Sequence, residues 1–354
     1  SQTDPEAAVA CAATTKECTM SELRKDPLVG RWVIVATERA KRPSDYVSEE
    51  PVEPPDPARN PFAEGHESQT PPEVFAVRDP HSQPDGPGWK LRVVPNRFPA
   101  LRIEGELGKE GQGMYDKMNG IGAHEVIIES PEHAATLGKM SDVRVADLFF
   151  AVRDRINDLA RDPRLRYMLV FKNHGEGAGA TLEHTHSQLI ALPVVPKRVQ
   201  EEIAGARRYF EFRDRCVYCD ILQQELASQT RVVHRSAHFL VIAPFASSFP
   251  FECWIVPLRH AAHFHLSPPE VIHDLGSVRR TLVGKLDKTL EEPPYNFVLH
   301  TTPVREGELE HYHWHIEVAP KLTRVAGFEW GSSFFLNPTP PEEAAKFLRE
   351  AEGA

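Results

Sequence analysis

The strongest constraint on the fold of this chain is an internal repeat. The segment LEHTH at residues 182–186 recurs as LEHYH at residues 309–313, and His133 and His260 are separated by the same displacement. In both halves a strand-like segment precedes the lone histidine, and a helical stretch, a second strand and a histidine-rich strand follow it. Several matches in one register indicate a duplication. We therefore predict an α+β fold of two fused repeats, each an antiparallel sheet with helices packed on it.

The repeat also sets the domain boundaries. Residues 1–20 are predicted to be a flexible leader, followed by a first repeat at 21–196 and a second repeat at 197–354. Within the first repeat, apolar residues recur at helical spacing after Ser141, which is a favourable N-cap. This pattern predicts an amphipathic helix that ends near residue 162.

Composition excludes several classes of function. The chain has 41 Lys and Arg against 51 Asp and Glu, a formal net charge of -10, so it would repel a polyanion and we expect no nucleic-acid partner. It has no run of about 18 apolar residues, so we expect no membrane association. Its five cysteines are odd in number and too sparse for a disulfide framework. They indicate a reducing compartment, and we predict a cytoplasmic location.

The predicted strand at residues 183–192 has one unusually polar face. Side chains alternate along a strand, so His184, His186 and Gln188 project from the same side. Burying three polar groups together is costly unless each has a ligand or a partner. A loop of small residues at 173–181 leads into this strand, and small residues let backbone N–H groups approach a phosphate. The combination predicts a phosphoryl-transfer site.

The residue types in this strand also indicate how such a site would react. A neutral imidazole can attack phosphorus near pH 7 when a hydrogen bond from Nδ1–H aims Nε2 at the target, and the product is a covalent phospho-histidine. Gln188 can donate to a non-bridging oxygen but cannot supply a proton. The leaving group should therefore be a phosphate that needs little protonation.

Five further segments accompany the histidine strand: RKDP at 24–27, RW at 31–32, RAKRP at 39–43, VPNRFPAL at 94–101 and GFEW at 327–330. With these segments the chain resembles the galactose-1-phosphate uridylyltransferase family, a branch of the histidine-triad superfamily with two fused repeats that includes ADP-glucose phosphorylase-like relatives. The resemblance implies a ping-pong reaction. His186 would attack the α-phosphorus of a nucleotide-sugar and release a hexose 1-phosphate, and a second sugar phosphate would capture the nucleotidyl-enzyme.

The resemblance further implies a set of substrate contacts and a homodimer. It assigns Asn96 to the base and ribose, Asn173 and Thr181 to the phosphates, Gln188 to the transferred phosphoryl group, Arg39 and Arg42 to the sugar phosphate, and Glu329 to hexose hydroxyls. From the residues alone, the basic run at 39–42 would be a solvated face, and the segment at 327–330 a turn beside a packed aromatic pair.

A second group of residues predicts a structural zinc site in the second repeat. Cys216 and Cys219 have the spacing of half a tetrahedral site, and His260 and one histidine of the strand around 311–315 could complete it. The repeat would favour His311. The resemblance favours His313, because in relatives a zinc ligand precedes a tryptophan. We predict the site as Cys216, Cys219, His260 and His313. Some relatives bind a metal through residues that match Glu202, His300, His313 and His315, and this alternative would compete for His313.

The first repeat departs from the family pattern. Relatives often hold zinc there with a Cys-x-x-Cys pair and two histidines that match His133 and His184, but residues 60–65 read NPFAEG. Since half of the ligands are missing, we predict no metal at this position and expect both histidines to act as hydrogen-bonding groups.

One substitution leaves the nucleotide open. Most uridylyltransferases have proline between the two histidines, whereas Thr185 stands here, and relatives that phosphorolyse ADP-glucose also have a small hydroxyl residue. The leading prediction is a UDP-glucose:hexose-1-phosphate uridylyltransferase, and the alternative transfers adenylyl from ADP-glucose to phosphate. Two minor alternatives are a metallohydrolase built on the His311 cluster and a nucleotide-binding module without catalysis.

Overall fold

The computed structural model describes residues 21–36, 41–46, 60–133 and 135–351, so the predicted leader at 1–20 lies outside the described residues. The helices of this part are α1 (Asp142–Leu159), α2 (Lys197–Arg213), α3 (Val217–Ser228), α4 (Pro269–Leu290), α5 (Gly327–Ser332) and α6 (Pro341–Glu350). The strands of the first repeat are β1 (Glu22–Lys25), β2 (Trp32–Val35), β3 (Phe75–Arg78), β4 (Trp89–Pro95), β5 (Glu110–Gln112), β6 (Tyr115–Lys117), β7 (Ala123–Ile128), β8 (Tyr167–His174) and β9 (His186–Leu192). Those of the second repeat are β10 (Val232–Arg235), β11 (Phe239–Ile242), β12 (Cys253–Pro257), β13 (Tyr295–His300), β14 (His315–Pro320) and β15 (Phe335–Asn337).

The two repeats share a single ten-stranded sheet. Its order is β10-β11-β12-β14-β13-β8-β9-β7-β4-β3, and every neighbouring pair is antiparallel. Read outward from the β13–β8 junction, the two halves have the same strand order, which confirms the predicted α+β fold of two fused repeats. The sequence predicted one sheet in each repeat, and the structure joins them edge to edge through the pairing of Asn296 with Asn173 and its neighbours.

One face of the sheet is covered by α1 and α4, which pack side by side over the main apolar core. Along β8 the residues on this face are Met168 and Val170, and along β14 they include Ile316. The two helices approach closely at Gly276, where an added Cβ would lie 2.7 Å from the backbone nitrogen of Ala146. The helices of both repeats thus bury one continuous core.

The opposite face differs between the two halves. In the second half it is covered by α2 and α3, whose Ala206 and Leu222 pack with Trp254 and Ile242 of the sheet. In the first half, Leu189 and Ala191 of β9 face the core. Strand alternation therefore places His186 and Gln188 on the opposite face. A three-stranded sheet of β1, β2 and β15 is separate from the large sheet.

Local predictions agree with the structure except at the ends of three elements. Helix α1 ends at Leu159, three residues before its predicted end, and β8 extends to His174, into the predicted loop. The helix predicted after Ser141 is α1, and Ser141 Oγ accepts the backbone N–H of Arg144 as an N-cap does. The strand predicted at 183–192 begins at His186, three residues late. No helix in the described ranges combines the length and the apolar character that a membrane span requires.

Candidate active site and metal-binding groups

His186 is the first residue of β9, and its ring is oriented by the backbone. Nδ1–H donates to the carbonyl oxygen of His184 at 2.7 Å, so Nε2 carries the lone pair. The ring of Phe62 packs edge-on against it with centroids 5.4 Å apart. Burial, and after it the Lys172 ammonium, lower the pKa of His186 below its ordinary value. The imidazole is therefore neutral at pH 7 and is a competent nucleophile through Nε2.

Gln188 lies two residues further along the same face, and His124 fixes its side-chain amide. The backbone N–H of Ala100 donates to His124 Nδ1 at 3.2 Å, which places the ring proton on Nε2. That Nε2–H donates to Gln188 Oε1 at 2.8 Å, and the amide nitrogen of Asn96 lies 3.2 Å from the same ring atom. The Gln188 NH₂ group is thereby left to donate to another acceptor, and Asn96 and Gln188 share one cluster.

The glycine-rich turn between β8 and β9 is held by two asparagines. Asn296 Nδ2 donates to Asn173 Oδ1 and to the carbonyl oxygen of Ala178, both at 2.9 Å. Gly175 and Gly179 have φ values of 76° and 88°, a region that side chains disfavour. Asn173 therefore shapes the turn that leads back into the His186 strand.

Asn60 joins the two histidines of the first repeat. Its Nδ2 lies 2.6 Å from His133 Nδ1 and 2.7 Å from His184 Nδ1, and its Oδ1 accepts the backbone N–H of Phe62 at 3.0 Å. His184 Nε2–H donates to the carbonyl oxygen of Ser130 at 2.7 Å, which leaves Nδ1 as an acceptor. One amide thus donates both of its hydrogens to imidazole nitrogens, so His133 and His184 both act as hydrogen-bonding groups.

The cysteine pair of the second repeat lies together with two histidines. Cys216, Cys219, His260 and His313 each offer a ligand atom within 4.8 Å of the others. Cys219 Sγ is 3.5 Å from His260 Nδ1 and 3.7 Å from His313 Nδ1, close to the ~3.6 Å sulfur–nitrogen edge that tetrahedral zinc with ordinary bond lengths would have. His260 Nε2–H donates to the carbonyl oxygen of Leu309, which turns Nδ1 toward the sulfur. The donor set fits a tetrahedral metal ion.

A second buried group consists of Glu202, His300 and His315, with ligand atoms within 4.8 Å of one another. His300 lies between two carboxylates, with Nδ1 2.9 Å from Glu202 and Nε2 3.5 Å from Glu317. Against burial, which lowers it, Glu202 and then Glu317 raise the pKa of His300 to about 10. As an imidazolium His300 satisfies both carboxylates, so this group can either bind a cation or stand as an internal ion cluster. His313 belongs to the cysteine group, so the two sets share no residue.

Comparison with known proteins identifies the family of this chain. The profile of the galactose-1-phosphate uridyl transferase N-terminal domain matches residues 12–196, and that of the C-terminal domain matches residues 202–330. The chain belongs to the galactose-1-phosphate uridylyltransferase family. Its members are nucleotidyltransferases, and the protein is therefore an enzyme of this class.

Two relatives define its place in the family. The chain is 41% identical to an ADP-glucose phosphorylase from Arabidopsis thaliana over 93% of this chain and 92% of that one. It is 30% identical to a galactose-1-phosphate uridylyltransferase from Thermotoga maritima over 94% and 99%. A crystal structure of an Arabidopsis ADP-glucose phosphorylase with bound ADP-glucose superposes with a TM-score of 0.80 at 38% identity, and covers 94% of this chain and 99% of that one.

The structure brings only part of the predicted substrate site together. Asn96 and Gln188 both lie within 3.2 Å of His124 Nε2, and His186 lies two residues before Gln188 on the same face of β9. Asn173 holds the turn that leads into β9. Thr181 is exposed at the end of that turn.

Of the residues predicted to contact the sugar, Arg42 and Glu329 lie in the described ranges, and both have other hydrogen-bond partners. Arg39 falls outside the described residues. Arg42 is exposed, and its backbone N–H donates to Asp45. Glu329 accepts the backbone N–H of Ala326 and caps α5. No hydrogen bond or ion pair in the described ranges links Arg42 or Glu329 to His186, so their assignment to the sugar stays a prediction.

Sequence reasoning missed four side chains that contact residues of the candidate site: His124, Asn60, Glu129 and Lys172. Two carried a usable signal. Glu129 and Lys172 are charged residues that continue apolar strands, and alternation with Ile127 and Val170 places both on the core face. A lysine and a glutamate on adjacent core faces predict a buried ion pair. Nothing local to His124 or Asn60 predicted their contacts.

Proposed function

We propose that the protein transfers an adenylyl group from ADP-glucose to inorganic phosphate. The observation that carries this choice is the identity of 41% to an ADP-glucose phosphorylase, against 30% to a uridylyltransferase. Thr185 supports it, since the sequence resemblance associates a small hydroxyl at this position with ADP-glucose phosphorolysis. The choice reverses the order of our two sequence predictions.

The proposed chemistry centres on His186. Its Nε2 attacks the α-phosphorus of ADP-glucose, so a P–N bond forms and the bond to the glucose 1-phosphate oxygen breaks with its electron pair. The ring keeps its proton on Nδ1 and becomes cationic, and the carbonyl oxygen of His184 stabilises this charge. An oxygen of inorganic phosphate then attacks the same phosphorus, and ADP leaves while His186 returns to the neutral form.

Gln188 would stabilise the phosphorus centre in both steps. Its Oε1 is occupied by His124, so its NH₂ group is available to a non-bridging oxygen on which charge develops. Gln188→Ala should lower the rate of both steps by roughly 10- to 1000-fold, the scale of one lost transition-state donor.

A labelling experiment tests the proposal. ADP-glucose and UDP-glucose, each radiolabelled at the phosphorus next to the nucleoside, are incubated separately with the protein, which is then denatured and washed. We expect label from ADP-glucose on the wild-type protein, none on His186→Gly, and release of labelled ADP when phosphate is added before denaturation. Failure of ADP-glucose to label the protein would refute the adenylyl assignment.

Uridylyl transfer to a hexose 1-phosphate is the second candidate, and the relative from Thermotoga maritima supports it. The same experiment discriminates between the two. Label from UDP-glucose alone, released as a UDP-sugar by galactose 1-phosphate, would establish uridylyl transfer in place of our proposal.

The cysteine group supports a structural role for zinc. A zinc ion bound there would cross-link the start of α3, through Cys216 and Cys219, to His260 after β12 and His313 before β14. The thiol of Cys219 lowers the pKa of Cys216, which favours the thiolate that zinc requires. A cytoplasmic homodimer stays a prediction from the sequence, and sedimentation of the purified protein tests the dimer.

A further inference from the structure

A fully buried ion pair lies directly behind the catalytic strand, on the core face of the sheet. Lys172 Nζ donates to Glu129 Oε2 at 2.7 Å, to Thr185 Oγ1 at 2.9 Å and to the carbonyl oxygen of His186 at 2.9 Å. An ammonium has three N–H groups, so all of them are used. Lys172 and Glu129 are each only 1% exposed.

The carboxylate of the pair binds the same strand from the other side. Glu129 Oε1 accepts the hydroxyl of Ser187 at 2.5 Å, and Oε2 accepts the hydroxyl of Thr185. The backbone N–H of Glu129 donates to the carbonyl oxygen of Thr185 at 3.2 Å. Thr185, His186 and Ser187 are therefore all hydrogen-bonded to the Lys172–Glu129 ion pair.

Backbone pairing within the sheet holds the start of β9 on one side only. Pairing of β9 with β7 extends to His186, but pairing with β8 ends where Gln188 meets Phe171. The nucleophile thus lies at the strand terminus with a ladder partner on one side only. The side chain of Lys172, the next residue of β8, binds the carbonyl oxygen of His186 beyond the last β8–β9 pair.

Stability alone is a weak reason for a charged pair at this position. Desolvation of two ions offsets most of their attraction, and apolar residues of similar volume often serve as well or better. A charged, hydrogen-bonded network does restrict geometry, because each of its bonds has a narrow range of lengths and angles. Its contacts converge on the residue that would attack phosphorus.

We propose that Lys172 and Glu129 are positioning residues for His186, and that the hydroxyls of Thr185 and Ser187 connect them to the catalytic strand. The inference rests on the proposed transfer through His186, whichever nucleotide is transferred. Transfer depends steeply on the alignment of Nε2 with phosphorus, and a misplacement of about 1 Å can cost about 100-fold in rate. The network would hold the strand and its imidazole within that tolerance.

The test compares two substitutions of one residue. Thr185→Val keeps the shape of the side chain and removes the hydroxyl, whereas Thr185→Ser keeps the hydroxyl. Thr302→Val is a matched control, because Thr302 is equally buried and its hydroxyl donates to the carbonyl oxygen of Ala262, away from the strand of His186. The readout is a rapid-quench time course of covalent labelling, with whichever nucleotide-sugar labels the wild-type protein.

We expect Thr185→Val to lower the maximal rate constant of labelling by roughly 10-fold, with burst amplitude and half-saturating concentration within about 2-fold of wild type. Thr185→Ser and Thr302→Val should stay within about 2-fold in all three. Should Thr185→Val fail to fold, Ser187→Ala removes the other hydroxyl and should lower the rate constant in the same way.

Three results would overturn the inference. In the first, Thr185→Val labels at the wild-type rate constant. In the second, only its burst amplitude falls, which is the signature of lost folded protein rather than lost alignment. In the third, Thr185→Ser is as slow as Thr185→Val. Absence of label on the wild-type protein with either nucleotide-sugar would instead refute the proposed function, so the two failures are distinguishable.

Discussion

Replacing Asn60 by alanine tests the amide bridge of the first repeat. The substitution removes the amide nitrogen Nδ2, which donates one hydrogen to His133 Nδ1 at 2.6 Å and the other to His184 Nδ1 at 2.7 Å. His184 is 1% exposed, so its Nδ1 would lose its partner without access to water, at a cost of about 1–3 kcal/mol. His133 is partly exposed and water can replace the amide there, so the second bond contributes about 0.5–1.5 kcal/mol. We expect the free energy of unfolding to fall by about 1.5–4.5 kcal/mol, the combined range of the two losses.

The loss should extend to catalysis, because the carbonyl oxygen of His184 orients the ring of His186. We expect covalent labelling of Asn60→Ala to slow by about 10-fold or more, the scale of a small misplacement of the nucleophile. Urea unfolding followed by circular dichroism measures the stability, and the rapid-quench assay measures the rate.

Asn60→Asp is the matched control, since it preserves shape but a carboxylate has no hydrogen to donate. At pH 8 it should be at least as unstable as Asn60→Ala. A carboxylate beside His184 favours the protonated ring. The loss of unfolding free energy in Asn60→Asp, relative to wild type, should therefore shrink as the pH falls toward 5. An Asn60→Asp protein as stable as wild type at pH 8, or a loss below about 1 kcal/mol in Asn60→Ala, would refute the donor role.

Three further predictions follow from the site and the packing around it. Cys216→Ser should lower the zinc content measured by mass spectrometry by one equivalent per chain and lower the melting temperature, whereas an unchanged zinc content would contradict the cysteine site. Gly205→Ala places a Cβ 1.7 Å from the carbonyl oxygen of Leu28, so we expect a loss of several kcal/mol in urea unfolding, and a wild-type midpoint would contradict this packing of α2. Burial lowers the pKa of His174 and of His184 to about 4, so the unfolded chain binds more protons as pH falls from 6.5 to 4, and the free energy of unfolding should decrease across that window in a pH series of urea titrations.

Features that depend on local pattern and on the duplication were predictable from the sequence. Helix α1 follows from its apolar spacing and from Ser141, and the polar face of β9 follows from strand alternation. The late start of β9 was not predictable, because the residue before it, Thr185, is bound by Glu129 and Lys172. Those contacts span 56 and 13 positions of the chain.

The histidines of the second repeat also show what the sequence could predict and what depended on the packing of distant segments. The spacing of Cys216 and Cys219 indicated half of a metal site, but the duplication pointed to His311 and the resemblance to His313. The fold places His313 with the two cysteines, because the approach to β14 brings its Nδ1 to 3.7 Å from Cys219 Sγ.

By itself, the sequence determined that the chain is a duplicated α+β unit and that His186 lies on a polar strand face, because periodicity and repetition are properties of the chain alone. Only the tertiary structure decided that β8 and β13 join the two halves into one sheet, that Asn60 bridges His133 and His184, and that a buried ion pair supports the strand of His186. Strand register and side-chain convergence depend on how distant segments pack together, and no single segment encodes that packing.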